Sequence, residues 1–280
     1  MRTRIIIMCV AMLATAVLAG AARADWAAGT PAKWFQMPDL TPTGMDVNAT
    51  FFGPATGGPG QYPYVKVLAD DFPCTTTGPI TDIHIWGSWL NDFYDQGLPV
   101  SFKLSIHSDV PKGPNGEYSH PGGELWQHVF NPGQYAVQSW ATALEQFYEP
   151  NTNQIIGQDH QVWQYNFLIP STAAFVQQGT AAKPMVYWLD VQALTPDPGM
   201  IFGWKTTQDH WGDDAVYADT EVFGGPPILS GTVAPALWHE LIYPSGVSRD
   251  MAFVITPEPA TMALLGLGIA GLVARRRGKK

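Results

Sequence analysis

The chain has 280 residues, of which 46% are hydrophobic and 14% charged, with 28 glycines and 24 prolines. That length suffices for a full core in one large domain or two small ones, and the apolar content speaks against a disordered chain. A net charge of −9 speaks against a nucleic-acid partner, and two cysteines cannot build a disulfide-dense scaffold.

The first 24 residues read as a secretory signal. Arg2 and Arg4 form the positive start, residues 5–18 are apolar apart from Thr15, and Ala22-Arg23-Ala24 supplies the small-x-small cleavage pattern. The mature chain is expected to begin at Asp25, after passage through the secretion machinery. No cysteine stands directly after the apolar run, so lipoprotein processing is not expected.

Residues 25–256 form the expected ectodomain. Seven basic residues against 23 acidic ones leave it at −16. Such a surface repels anionic polymers, stays soluble on export and attracts cations such as calcium. Its first part, 25–61, is rich in Pro and Gly and is expected to drape over sheets, with a strand near 45–52. Short runs of Val, Ile, Phe, Tyr and Trp then recur between turn residues, predicting strands near 64–69, 80–90, 100–107, 124–131, 161–169, 185–193, 201–205, 215–218, 236–243 and 250–255.

Two of these strands show the period clearly. Phe102, Leu104 and Ile106 alternate with Ser101, Lys103, Ser105 and His107, so one face belongs on a core and the other in solvent. Ile83 and Ile85 likewise take a core face, leaving His84 and Trp86 opposite. Two short helices are expected, at 140–147 from the spacing of Trp140, Leu144 and Phe147, and at 171–177 after Pro170. The resulting fold class is all-β: an antiparallel β-sandwich of jelly-roll type in one domain, without internal repeats.

Most catalytic signatures are absent. His239-Glu240 lacks the second histidine of a zincin, Gly87-Ser88-Trp89 lacks the outer glycine of a nucleophile elbow, and no loop carries EF-hand spacing. Cys74, the one mature cysteine, has no basic sequence neighbour and reads as a small core residue. The acids Asp70, Asp71, Asp213 and Asp214 are the candidate cation ligands, with calcium the fitting ion and a structural role, and His84 and His107 could converge on neighbouring strands. Trp86, Trp89 and Trp211, set among polar or opposite-face residues, are the candidate platforms on which sugar rings would stack.

The chain closes on Thr256-Pro257-Glu258-Pro259, the uncharged apolar stretch 260–274, and Arg275-Arg276-Arg277-Gly278-Lys279-Lys280. As a helix the stretch would be about 22 Å long, short against a hydrocarbon core of ~30 Å, with the basic tail on the cytoplasmic face. Pro257-Glu258-Pro259, a short Gly/Leu-rich helix and the cluster Arg275, Arg276 and Arg277 together resemble the PEP-CTERM sorting signal of bacterial secreted proteins. That resemblance implies a transient stay at the inner membrane and processing near the motif by exosortase, a membrane transpeptidase. It also implies association with extracellular polysaccharide, and residues 257–280 as a sorting segment. The runs Ala69-Asp70-Asp71-Phe72, 78–89, Ser105-Ile106-His107-Ser108-Asp109, 186–191, Phe202-Gly203-Trp204-Lys205 and 210–215 are similar to an uncharacterised domain that recurs in secreted bacterial proteins with this same tail.

The expectation is therefore a non-enzymatic surface or matrix protein without cofactor (calcium apart), its ectodomain glycan-binding or structural. Two alternatives are a secreted glycan-active hydrolase or lyase using Asp70, Asp71, Asp213 or Asp214, and a calcium-stabilised adhesin.

Overall fold

The computed structural model describes residues 26–52, 64–94, 97–114, 118–219, 238–243 and 245–256. Contacts divide the chain into two units, one of Met1–Thr30 with Glu258–Lys280 and one of Pro31–Pro257. Of the first unit only 26–30 are described, as a turn closed by the Thr30 amide donating to the Ala27 carbonyl at 2.9 Å. The expected signal peptide, the Pro257-Glu258-Pro259 motif, the membrane helix and the Arg275–277 cluster lie outside the described residues. Among the described residues no helix is long and apolar enough to cross a membrane.

The second unit is all-β. Its strands are β1 (Trp34–Gln36), β2 (Met45–Asn48), β3 (Thr50–Phe52), β4 (Tyr64–Ile80), β5 (Asp82–Trp89), β6 (Ser101–Val110) and β7 (His120–Phe130). They continue with β8 (Ala136–Glu149), β9 (Gln154–Leu168), β10 (Phe175–Thr195), β11 (Phe202–Lys205), β12 (Val216–Asp219), β13 (His239–Glu240) and β14 (Phe253–Thr256). One sheet has the order β1-β14-β5-β11-β2-β8-β9, and β9 returns to pair with β5, so this sheet curls into a ring. The other has the order β13-β12-β4-β3-β10-β6-β7, with β4 also paired directly to β10.

Pairing is antiparallel except for β2 with β8 and β3 with β10. Both exceptions arise at one crossing. The chain leaves the first sheet after Asn48 and enters the second at Thr50, and buried Ala49 serves both. Its amide donates to the Phe202 carbonyl at 3.0 Å, and its carbonyl accepts the Ala193 amide at 2.9 Å. A residue without a bulky side chain lets the two sheets approach at that corner.

The apolar core is common to both sheets. Phe102 of β6 meets Phe202 of β11 at 5.1 Å and Tyr165 of β9 at 4.9 Å between ring centroids, and Phe72 of β4 meets Phe253 of β14 at 5.9 Å. Ile83, Ile85, Leu104 and Ile106 are fully buried in the same cluster, as their alternation implies. Each such side chain contributes about 1.5–3 kcal/mol on leaving water.

The opposite faces differ from expectation. Lys103, Ser105 and His107 of β6 are buried, as is every residue of β5. The two histidines there are paired rather than solvated. His107 holds Asp190 at 2.6 Å, and His84 lies between Asp82 at 2.9 Å and Asn166 at 2.5 Å. The two histidines belong to different sheets and do not converge. Neither expected helix forms. Residues 140–147 lie within β8, where the long hairpin partner β9 supplies a ladder that a short isolated helix lacks. Their helix-like spacing comes from register shifts between Ser139 and Ala141 and between Thr142 and Glu145. Residues 171–173 form a turn, and β10 starts at Phe175.

Candidate functional site

Alternation along β4 sends consecutive side chains to opposite faces, so Asp70 and Asp71 enter one neighbourhood by different routes. Fully buried Asp70 accepts the Met251 amide at 2.7 Å through Oδ2 and the Asp71 amide at 2.9 Å through Oδ1. Asp71 Oδ2 accepts the Asp213 amide at 3.2 Å, while its Oδ1 meets no donor. The loop between β11 and β12 thus brings Asp213 against β4. Ser119 donates to Asp213 Oδ2 at 2.6 Å.

Asp250, just before β14, completes the arrangement. Its Oδ2 accepts the Trp211 amide at 2.8 Å and the Gln36 side chain at 3.1 Å, and its Oδ1 lies 3.1 Å from His210 Nδ1. Asp214 Oδ1 stands 3.9 Å from the same nitrogen. His210, Asp214 and Asp250 each offer a ligand atom, all within 4.8 Å of one another. This is an oxygen-rich set with one imidazole, the donor chemistry of a hard or borderline divalent cation. Asp70, Asp71, Asp213 and Asp214 therefore share one region with Asp250, which no local sequence pattern marks.

The electrostatics follow from burial and crowding. Burial is the largest cause holding the Asp71 carboxyl up at about 8; the Asp213 amide opposes it, and the charges of Asp250, Asp213 and Asp109 add to it. Burial likewise lifts Asp250 to about 6, against the Trp211 amide and His210, and raises Asp70 well above the carboxylate range, with Asp250 and Asp71 reinforcing it. Asp109, bonded to Trp188 Nε1 at 2.9 Å, is raised for the same first reason. Such carboxyls can share protons or yield them to a cation.

The aromatic candidates separate. Trp86 is fully buried, edge-on to Trp140 at 5.3 Å. Trp89 stacks on Tyr94 at 4.9 Å and donates to the Tyr165 hydroxyl at 2.9 Å. Because β5 is covered on both faces, neither ring offers a surface to a sugar, and both are core residues. Trp211 is half-buried and lies edge-on to Trp34 at 5.3 Å, beside the carboxylates. Trp34, in a stretch read from sequence as loop, is the aromatic partner that sequence reasoning missed.

Residues 32–256 match the model of a domain of unknown function, DUF7901, and residues 256–277 match the PEP-CTERM protein-sorting motif. No curated protein matches. Among solved structures, one described as AvmM, which catalyses macrocyclization in alchivemycin A biosynthesis, is similar at 13% identity. It covers 77% of this chain and 88% of its own, with a TM-score of 0.20, a likeness too loose to bear on fold or chemistry.

Proposed function

The chain belongs to the DUF7901 family, and we propose that it is a matrix or surface component whose β-sandwich associates with extracellular polysaccharide through a cation held at the acidic site. Its PEP-CTERM motif makes it an exported, membrane-anchored surface protein with exosortase as processing partner. In this reading residues 1–24 are removed on export, and 260–274 hold the chain at the inner membrane until processing. The supporting observation is the juxtaposition of Asp71, His210, Asp214 and Asp250 with the Trp34–Trp211 pair. Carboxylates alone would repel an acidic polymer. A calcium ion among them would bridge to sugar oxygens, while the indole gives an apolar face.

Retention of the purified ectodomain on the producer's polysaccharide is the test. Binding in calcium that is lost in EDTA, and lost with Asp250→Asn, is the expected result. Absence of binding in both media would leave only the structural role.

A second reading, a glycan-active hydrolase or lyase, is favoured by one feature: carboxyls held near 6 and 8 suit acid and base work around neutral pH. Turnover of the same polysaccharide that disappears with Asp71→Asn would establish it.

A further inference from the structure

Five strands of the first sheet close a ring, β5-β11-β2-β8-β9 and back to β5. Lys205, Asp46, Glu145, Asp159 and Ser88, one from each of these strands, form a buried polar cluster. Lys205 on β11 stands opposite Asp46 on β2, Glu145 on β8 stands opposite Asp159 on β9, and Ser88 of β5 faces Asp159. Four of the five are 0% exposed and Glu145 is 2% exposed. Lys205 Nζ donates to Asp46 Oδ2 at 2.7 Å and also to Glu145 Oε2. Asp46 Oδ1, Glu145 Oε1 and both oxygens of Asp159 close no well-formed hydrogen bond, although the three carboxyls offer oxygens within 4.8 Å of one another.

An ammonium with three carboxyls, all buried, is an expensive interior. A proton on Asp159 relieves part of the cost: burial first, then the charge of Asp46, holds this carboxyl up at about 9. The ring thus contains an amine, two carboxyls in contact with it, Glu145 and Asp46, and a third, Asp159, beside Asp46, all out of solvent. Those are the parts of an amide condensation. A desolvated lysine is a nucleophile once it loses a proton, contact replaces a bimolecular encounter, and exclusion of water favours condensation over hydrolysis.

We propose that Lys205 and Glu145 join spontaneously through an intramolecular isopeptide bond between Nζ and Cδ. Asp46 takes a proton from the Lys205 ammonium, and the free amine attacks the Glu145 carboxyl carbon. Asp159, beside Asp46, gives one proton to a Glu145 oxygen and recovers one from the nitrogen of the collapsing intermediate, while Asp46 passes its proton to the same oxygen, which departs as water. Of the three ammonium protons one stays on the amide nitrogen and two leave in water. No oxidant or co-reactant is needed. An ion pair becomes a neutral amide, and the Asp46–Asp159 pair ends as it began.

Glu145 is the electrophile because Asp46, which also faces Asp159, is the carboxyl placed to exchange protons with that second acid. The bond would link positions 60 apart in sequence and tie β8 to β11 across the intervening β2. An exported domain whose described residues hold one free cysteine, Cys74, would thereby gain the cross-link that a disulfide supplies elsewhere.

Mass spectrometry of the denatured full chain and of its protease fragments tests this. The fragments containing Glu145 and Lys205 are expected as one linked species, lighter than their sum by one water, and the link should vanish in Lys205→Arg and Glu145→Ala. Asp159→Asn should leave a large share of the chain unlinked. Wild-type fragments at their full separate masses would overturn the proposal, including the case in which the folded protein retains a cation in the ring. A link mapped to Asp46 would overturn the assignment of Glu145.

Discussion

Gly212 and Asp71 compete for one space: a β-carbon on Gly212 would fall 2.7 Å from Asp71 Oδ1 and closer still to Oδ2. Gly212 also has φ +74°, a left-handed conformation that side chains other than glycine adopt at a cost. Gly212→Ala should therefore destabilise by about 2–4 kcal/mol, backbone strain and displaced carboxylate together. Gly133, with φ +86° and open space around it, is the control. Gly133→Ala should cost only about 1 kcal/mol, and thermal unfolding of the two variants checks the difference.

The acidic site makes stability depend on pH with a definite sign. Asp71 and Asp250 bind protons more tightly folded, at about 8 and about 6, than at the ordinary 3.8. Between those limits the folded state holds more protons, so stability falls as pH rises from about 4 toward about 8. His107 acts in the same direction. Burial opposes its charge, but the bond to Asp190 outweighs that and raises it, so its contribution is present below 6.5 and lost as pH rises through the folded value. The melting temperature is expected to decline from pH 5 to pH 8, and Asp71→Asn should flatten the slope.

A cation at the site would reverse that penalty. Calcium at one hundred times its dissociation constant would add about 2.7 kcal/mol. The melting temperature at neutral pH should rise with calcium and fall with EDTA in the wild type. It should stay indifferent to both in Asp250→Asn, and differential scanning calorimetry reads this directly.

The tryptophans should divide by role. Trp89→Ala removes a fully buried ring and leaves the Tyr165 hydroxyl without its donor, a loss of about 3–5 kcal/mol. Trp211→Ala should cost about 1 kcal/mol or less, yet abolish retention on polysaccharide. Denaturant unfolding and the binding assay together separate these outcomes.

Much of the strand layout was legible in sequence because alternation is a local property. Phe102, Leu104 and Ile106 name a core face unaided, and each predicted strand run overlaps an observed strand. Alternation does not say what covers the other face, and Lys103, His107 and Trp86 were assigned to an open side that the fold closes. Strand β8 was missed because bulges disturb its period, leaving residues that mimic a helix. In the acidic site, the adjacent pairs Asp70-Asp71 and Asp213-Asp214 stood out, whereas Asp250 carries no sequence signal of its own.

By itself the sequence determined the C-terminal sorting motif, read from contiguous residues, and the strands, read from a two-residue period. Only the tertiary structure decided which charges meet. Lys205 ends a strand read as apolar, Asp46 lies in a run read as a lone strand, and Glu145 in one read as helix. A ring that closes when β9 reaches β5 encloses all three with Asp159. Proximity of that kind depends on sheet order and register across more than a hundred residues, and no local spacing encodes it.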